Sequence, residues 1–434
     1  MFDIIKRNAY IIWQQLSKGI LHVFTANVLN KIILMASNMI LTRMLSQNEY
    51  GILSFIGNVY SYAGLIMGFG LVAGALQFGI ENHNHPEENC FYKYCANAGL
   101  LVNVLIVFIF FVVVLIGKFS IHQVKIYICI YLPLLIIEYF IQLLFIILRS
   151  QSRFKDYARL ITMQTILVSV GTCIGSFWGV KGVIASKYVV SFVVFFTVVG
   201  FIYDTICPIL RAGKLNMHQK KELWHYSIFN GISSILNQLL FLIDFSMLAK
   251  LIGSTQILAI YKVATLIPNA LKFIPQSVVI CVVPNIVAHN KDPFWLKKMF
   301  KKTFVGMLIF NLLIGLCFIL FAPLVIYIIA GKQYLVAVGS FRVLIAGYCI
   351  AGTFRSLSVN FLAALKMVKW NAILSLISCL IAIMLNFLLI PKFGMIGAAY
   401  ATFGVELTSS ILTFVCLMYK LKKSYQKKEV YINK

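Results

Sequence analysis

Apolar runs of about 20 residues recur along the whole chain, separated by short segments that hold most of the charge. That pattern decides the fold class. Away from water every backbone N–H and C=O needs a partner within the protein, and a continuous run of this length meets the requirement as a helix crossing roughly 30 Å of hydrocarbon. The runs do not alternate polar with apolar, which excludes barrel strands. Composition agrees. Of the 434 residues, 61% are hydrophobic and 12% are charged, against roughly 25% charged in a soluble domain, and mean hydropathy is +0.91. The sequence predicts an all-α integral membrane protein.

Twelve transmembrane helices are predicted, over roughly 19–42, 50–78, 96–117, 124–148, 157–179, 182–205, 226–250, 257–284, 303–329, 336–364, 370–390 and 394–420. The net charge of +25 would suit a nucleic acid, but its placement argues otherwise, because Lys and Arg crowd one set of loops and the C-terminal tail. Only Arg43, Lys118, Lys125, Lys181, Lys250, Lys332 and Lys392 fall in the opposite loops. This asymmetry predicts an even number of spans with both termini in the cytoplasm, beside anionic lipid, and no nucleic-acid partner. Met1 to Lys18 lacks a clean apolar core and a cleavage site, and reads as an amphipathic entry helix lying on the membrane.

Sliding the chain by about 207 residues sets Arg43 on Lys250, Asn30 on Asn237 and Ser37 on Asp244. A slip of about 215 sets Gly179-Val-Lys-Gly182 on Gly394-Met-Ile-Gly397, each after a tight turn. Two pseudo-symmetric six-helix lobes around a central cavity are therefore expected: 1–205, with the entry helix and spans one to six, and 226–434, with spans seven to twelve and the basic tail. Residues 206–225 form the expected linker. Gly64-x-x-x-Gly68, Gly70-x-x-x-Gly74 and Gly171-x-x-x-Gly175 are expected to permit close helix packing.

Several chemistries are not indicated. The ten Cys lie mostly inside apolar runs without C-x-x-C spacing, and the seven His are scattered, so neither disulfides nor a metal site is predicted. No P-loop pattern occurs, and the acidic residues are too dispersed for a glycosyltransferase pair. The expectation is a protein that is not an enzyme and uses no cofactor.

What remains is charge at membrane depth, which costs roughly 2.5–3.5 kcal/mol per group and normally faces protein or a wet cavity. Asp244 shares a helical face with Asn230, Ser234 and Asn237. Lys262 and Lys272 share one with Thr265, Asn269 and Gln276, in a helix interrupted by Pro268, Pro275 and Pro284. Lys31, Glu138, Lys187, Arg342, Arg355 and Glu406 also lie within spans. Cations outnumber anions, which predicts a positive interior suited to an anionic cargo such as a phosphate. The candidate cargo-binding residues are Lys31, Lys272, Arg355, Lys187 and Lys262. Asp244, Glu138 and Glu406 are candidates for ion coupling or for pairing with these cations. Interfacial positions remain open for Lys187, Lys262 and Arg342.

The lobes, the Arg43-Met-Leu-Ser-Gln-Asn-Glu-Tyr-Gly51 turn and the closing Gly394-Met-Ile-Gly397-Ala-Ala-Tyr-Ala-Thr segment resemble the polysaccharide repeat-unit flippases of the multidrug/oligosaccharidyl-lipid/polysaccharide (MOP) exporter superfamily. The resemblance covers nearly the whole chain. It implies alternating access and translocation of an undecaprenyl-pyrophosphate-linked oligosaccharide, for O-antigen or capsule, to the outer leaflet of a bacterial inner membrane. It also implies H+ or Na+ as a coupling ion, and a polysaccharide polymerase and chain-length regulator as partners. A drug/cation antiporter of the same fold and a membrane glycosyltransferase or polymerase are the alternatives. The first calls for acidic binding residues, and the second for a large extramembrane loop or a carboxylate-rich site.

Overall fold

The computed structural model describes residues 23, 25–83, 85–117, 122–276, 278, 293–364 and 367–432. They are almost entirely helical, and no strand occurs among them. Eight stretches among the described residues are long and apolar enough to cross a membrane. The protein is a multi-pass all-α membrane protein. The expected entry helix and Pro284 lie outside the described residues, as do the side chains of Ser234 and Asn237.

The chain divides into two compact units, Met1–Leu45 with Val59–Ile235 and Ser46–Asn58 with Leu236–Lys434. The first unit contains α1 (25–44), the later part of α2 (Gln47–Leu65), α3 (Leu71–Glu81), α4 (Pro86–Ile116), α5 (His122–Tyr131), α6 (Leu134–Ser150), α7 (Phe154–Gly175), α8 (Gly179–Phe201), α9 (Tyr203–Arg211) and the first part of α10 (Met217–Ile252). Residues 206–225 are thus largely helical and belong to this unit. Lys93 Nζ donates to the carbonyls of Leu210 and Ala212 at 2.9 and 2.7 Å, capping the end of α9 with positive charge.

α6 is apolar nearly all round and is the most buried helix of this unit. Its Tyr139 is fully buried and donates to the Cys95 carbonyl at 2.6 Å. Tyr92 lies 2.6 Å from the Ser150 hydroxyl and donates to Glu88 at 2.9 Å. The glycines of the second apolar run divide: Gly70 and Gly74 permit the expected close packing, a Cβ on them lying 2.0 Å from the Ser227 carbonyl oxygen and 2.3 Å from the Ser227 hydroxyl oxygen of α10, whereas Gly64 and Gly68 do not follow it. Gly64 has open space where a side chain would sit. Gly68, Phe69 and Gly70 take positive φ, at 61°, 48° and 83°, and break the run into α2 and α3. The freed Gly68 N–H donates to Asn103 Oδ1 at 2.9 Å, deep in the unit.

The second unit contains the start of α2, the rest of α10, α11 (Thr255–Leu271), α12 (Pro293–Leu320), α13 (Ala322–Ala330), α14 (Val338–Ile350), a π turn (Ala351–Arg355), α15 (Ser356–Ala364) and α16 (Val368–Ile432). Asn58 holds α2 in this unit, accepting from the Ser246 hydroxyl at 2.7 Å. Asn311 of α12 is buried, donates to Thr353 at 2.9 Å and accepts from Tyr348 at 3.1 Å, fastening α12 to the π turn.

Each unit contains the same tight reversal. Gly179 has φ 65° and ψ −154°, and Gly394 has φ 59° and ψ −132°. Side chains rarely adopt this backbone, whereas glycine does so freely. Three residues on, Gly182 faces the Gly175 carbonyl and Gly397 the Leu389 carbonyl; a Cβ would lie 2.2 Å from each oxygen. α7 and α8 form one such helical hairpin, and the two arms of α16 form the other.

Candidate functional site

Four charged groups of the second unit, Asp244, Lys272, Arg355 and Glu406, gather around the α16 hairpin. Asp244 of α10 is 9% exposed. It accepts from Asn386 Nδ2 at 2.7 Å and from the Thr402 hydroxyl at 2.6 Å. Asn386 and Thr402 lie on opposite arms of α16, equidistant along the chain from Gly394, so the reversal brings them to one level. The Tyr261 hydroxyl stands 3.3 Å from that of Thr402. Asn386 Oδ1 is buried with no partner among the described residues. Carboxylate, amide and hydroxyl oxygens form a hard donor set suited to a proton or a small hard cation. Among the described residues no group of three or more His, Cys, Asp or Glu is placed to hold a metal ion.

Arg355 closes the π turn and pairs with Glu406 of α16, Nη1 to Oε2 at 3.1 Å. Pro275 lacks the N–H that would bond the Leu271 carbonyl, and α11 ends at Leu271. Lys272 sits at that break. Its Nζ donates to Asn269 Oδ1 at 2.8 Å and lies within electrostatic reach of Glu406, Arg355 and Asp244. Lys272, Arg355, Glu406 and Asp244 therefore form one polar cluster. Lys262 lies apart, its Nζ 5.8 Å from the centre of the Phe245 ring. Arg342 is exposed and donates to the Ile319 carbonyl at 3.1 Å.

In the first unit Glu138 of α6 and Lys187 of α8 interact electrostatically. Lys187 Nζ donates to the Tyr131 hydroxyl, and Tyr131 meets Tyr60 edge-on at 4.7 Å. Lys31 on α1 is exposed, whereas Asn30, Ser37 and Thr42 are buried. Sequence reasoning missed Asn386, Thr402 and Tyr261. The available signal was the equal spacing of Asn386 and Thr402 about Gly394.

A model of the family described as polysaccharide biosynthesis protein matches residues 16–289. The chain belongs to that family. Among solved structures, the chain is similar to the lipid II flippase MurJ in an inward closed conformation, with a TM-score of 0.69 and 17% identity over 93% of this chain and 89% of that one. It is similar to an inward-facing multidrug resistance MATE family transporter of the MOP superfamily, with a TM-score of 0.69 and 13% identity over 92% and 96%. A MOP superfamily transporter from Pyrococcus furiosus, whose binding pocket is described as of reverse polarity, gives 0.63 and 13% over 94% and 96%. These likenesses show the MOP transporter fold. No curated protein matches the chain by sequence.

Proposed function

We propose that the protein is a flippase that moves an undecaprenyl-pyrophosphate-linked oligosaccharide, an O-antigen or capsule repeat unit, from the cytoplasmic to the outer leaflet of a bacterial inner membrane by alternating access. In this reading both termini are cytoplasmic, and a polysaccharide polymerase and chain-length regulator act on the product. The observation that carries the reading is the polysaccharide biosynthesis family match over residues 16–289. The chemistry of the second unit supports it. Lys272 and Arg355 present two cations in a cluster whose carboxylates are Glu406, paired with Arg355, and Asp244, held by Asn386 and Thr402. A pyrophosphate offers both cations charge-assisted hydrogen bonds and competes with Glu406 for them. Lys31, exposed on α1, is the candidate cation of the first unit, and Lys187 and Lys262 are weaker candidates because each faces an aromatic ring.

Asp244, with Thr402 and Asn386 beside it, is the proposed place of H+ or Na+ coupling; an ion bound there drives the cycle only through unequal affinity for the two states. The test is complementation in a strain lacking its own repeat-unit flippase. K272A, R355A and K31A should lose surface polysaccharide and accumulate lipid-linked repeat units while remaining in the membrane at wild-type amounts. Normal surface polysaccharide in all three variants overturns the reading. A drug/cation antiporter is the second reading, favoured by the Asp244 cluster and by the fold likeness to a multidrug transporter. Efflux of cationic dyes that D244N abolishes, with no polysaccharide phenotype, would establish it.

A further inference from the structure

A lateral groove of about 670 Å³ opens in the first unit where the first described turn of α1 passes the start of α7. Lys155, Arg159, Thr162 and Ile166 line it from α7, and Thr25 and Ala26 from α1. The four α7 residues recur at the spacing of one helical face. Charge therefore sits at the N-terminal end of the stripe and aliphatic surface further along. The apolar side continues beyond the groove: Ile166, Val170 and Ile174 on α7 are 44%, 51% and 52% exposed, and Leu29 and Ile32 on α1 are 45% and 60% exposed. No acidic side chain lines the groove among the described residues. The nearest in sequence, Asp156, is taken by Arg153 at 2.8 Å. The described lining also lacks aromatic rings and amide side chains, the groups that recognise sugars.

We infer that this groove binds the headgroup of an anionic phospholipid from the leaflet at the basic face of the membrane. The phosphodiester sits between Lys155 and Arg159, the Thr25 and Thr162 hydroxyls are within the same lining, and the acyl chains run along the aliphatic side of α7. A phospholipid fits better than the proposed cargo because the described lining offers two cations and an apolar slope but no ring or amide to read an oligosaccharide. The inference is independent of the transport reading. It would hold for a flippase or an antiporter, and makes anionic lipid a bound component of the first unit.

The test is lipid retention by the full chain, delipidated in detergent and titrated with phosphatidylglycerol or phosphatidylcholine, read by native mass spectrometry. K155Q/R159Q is compared with the wild type and with K298Q/K302Q, which removes two exposed cations at the same spacing near the start of α12. All four side chains are exposed, so each variant should melt as the wild type does in detergent alone. The expected result is one phosphatidylglycerol retained by the wild type and K298Q/K302Q but held roughly 30-fold more weakly by K155Q/R159Q. Phosphatidylcholine should bind all three alike. Equal phosphatidylglycerol retention by the wild type and K155Q/R159Q overturns the inference. Equal weakening in K298Q/K302Q also overturns it, as diffuse attraction. So does a wild-type preference for undecaprenyl pyrophosphate over phosphatidylglycerol that K155Q/R159Q abolishes, because it would assign the groove to cargo.

Discussion

Arg355 Nη1 lies 3.1 Å from Glu406 Oε2, and the two side chains keep only 13% and 10% of their surface exposed. The pair joins the π turn to the second arm of α16. Removing one partner strands the other's charge at low dielectric, whereas replacing both with apolar groups of similar size removes the pair and leaves Lys272 with Asp244. R355M and E406L should each destabilise the protein by roughly 3–5 kcal/mol, and R355M/E406L should recover most of that loss. Thermal melting in detergent measures all three. A double variant as unstable as the sum of the singles would show that the two side chains act separately.

Asp244 accepts two hydrogen bonds through different oxygens. D244N replaces one acceptor with a donor that faces a donor, so transport should fall by at least tenfold while the protein stays in the membrane. N386A removes one bond and leaves the carboxylate, so its effect should be smaller. Lipid-linked repeat-unit flipping in proteoliposomes, run with and without ion gradients, checks the order. D244N flipping at wild-type rate would remove Asp244 from the mechanism.

Asn103 is the partner of the Gly68 N–H and also donates to the Gly99 carbonyl at 2.7 Å. N103L leaves that buried N–H without an acceptor and should lower stability by about 1–3 kcal/mol. An unchanged melting temperature would mean that another group takes over the amide.

Glycines separate in the same way. A Cβ on Gly182 meets the Gly175 carbonyl oxygen at 2.2 Å, whereas one on Gly64 meets nothing within 4 Å. G182A should cost about 1–3 kcal/mol by overpacking the α7–α8 hairpin, and G64A should stay within about 0.5 kcal/mol of wild type. Membrane-extracted protein that melts alike in both variants would contradict the hairpin geometry.

How far these features were legible depends on the range of the interactions that make them. Helices follow from hydropathy, because an apolar run in lipid satisfies its backbone only within itself. The Gly179 and Gly394 reversals were visible as a repeated spacing, since a backbone that favours glycine leaves a mark in sequence. The partners of Asp244 left only their equal spacing about Gly394 as a mark, because Asn386 and Thr402 are neutral residues in apolar runs and meet only once α16 folds back. The face of Arg355 was also beyond reach. An unbroken helix would set it opposite Arg342, but the π turn at Ala351–Arg355 changes the angular register between them. The Gly64 and Gly68 pattern misled for a related reason: the same residue type serves close packing and positive φ, and only the backbone tells which.

The Gly394 reversal makes the geometry at Asp244 depend on chain length. Asn386 and Thr402 meet at Asp244 because equal numbers of residues hang on either side of one pivot. Adding a single residue to either arm turns everything beyond it by about 100° and lifts it by about 1.5 Å, which swings one ligand out of line while leaving hydropathy unchanged. Related chains that keep this acidic centre should therefore vary freely in the residues facing lipid but hold the count between these two positions constant.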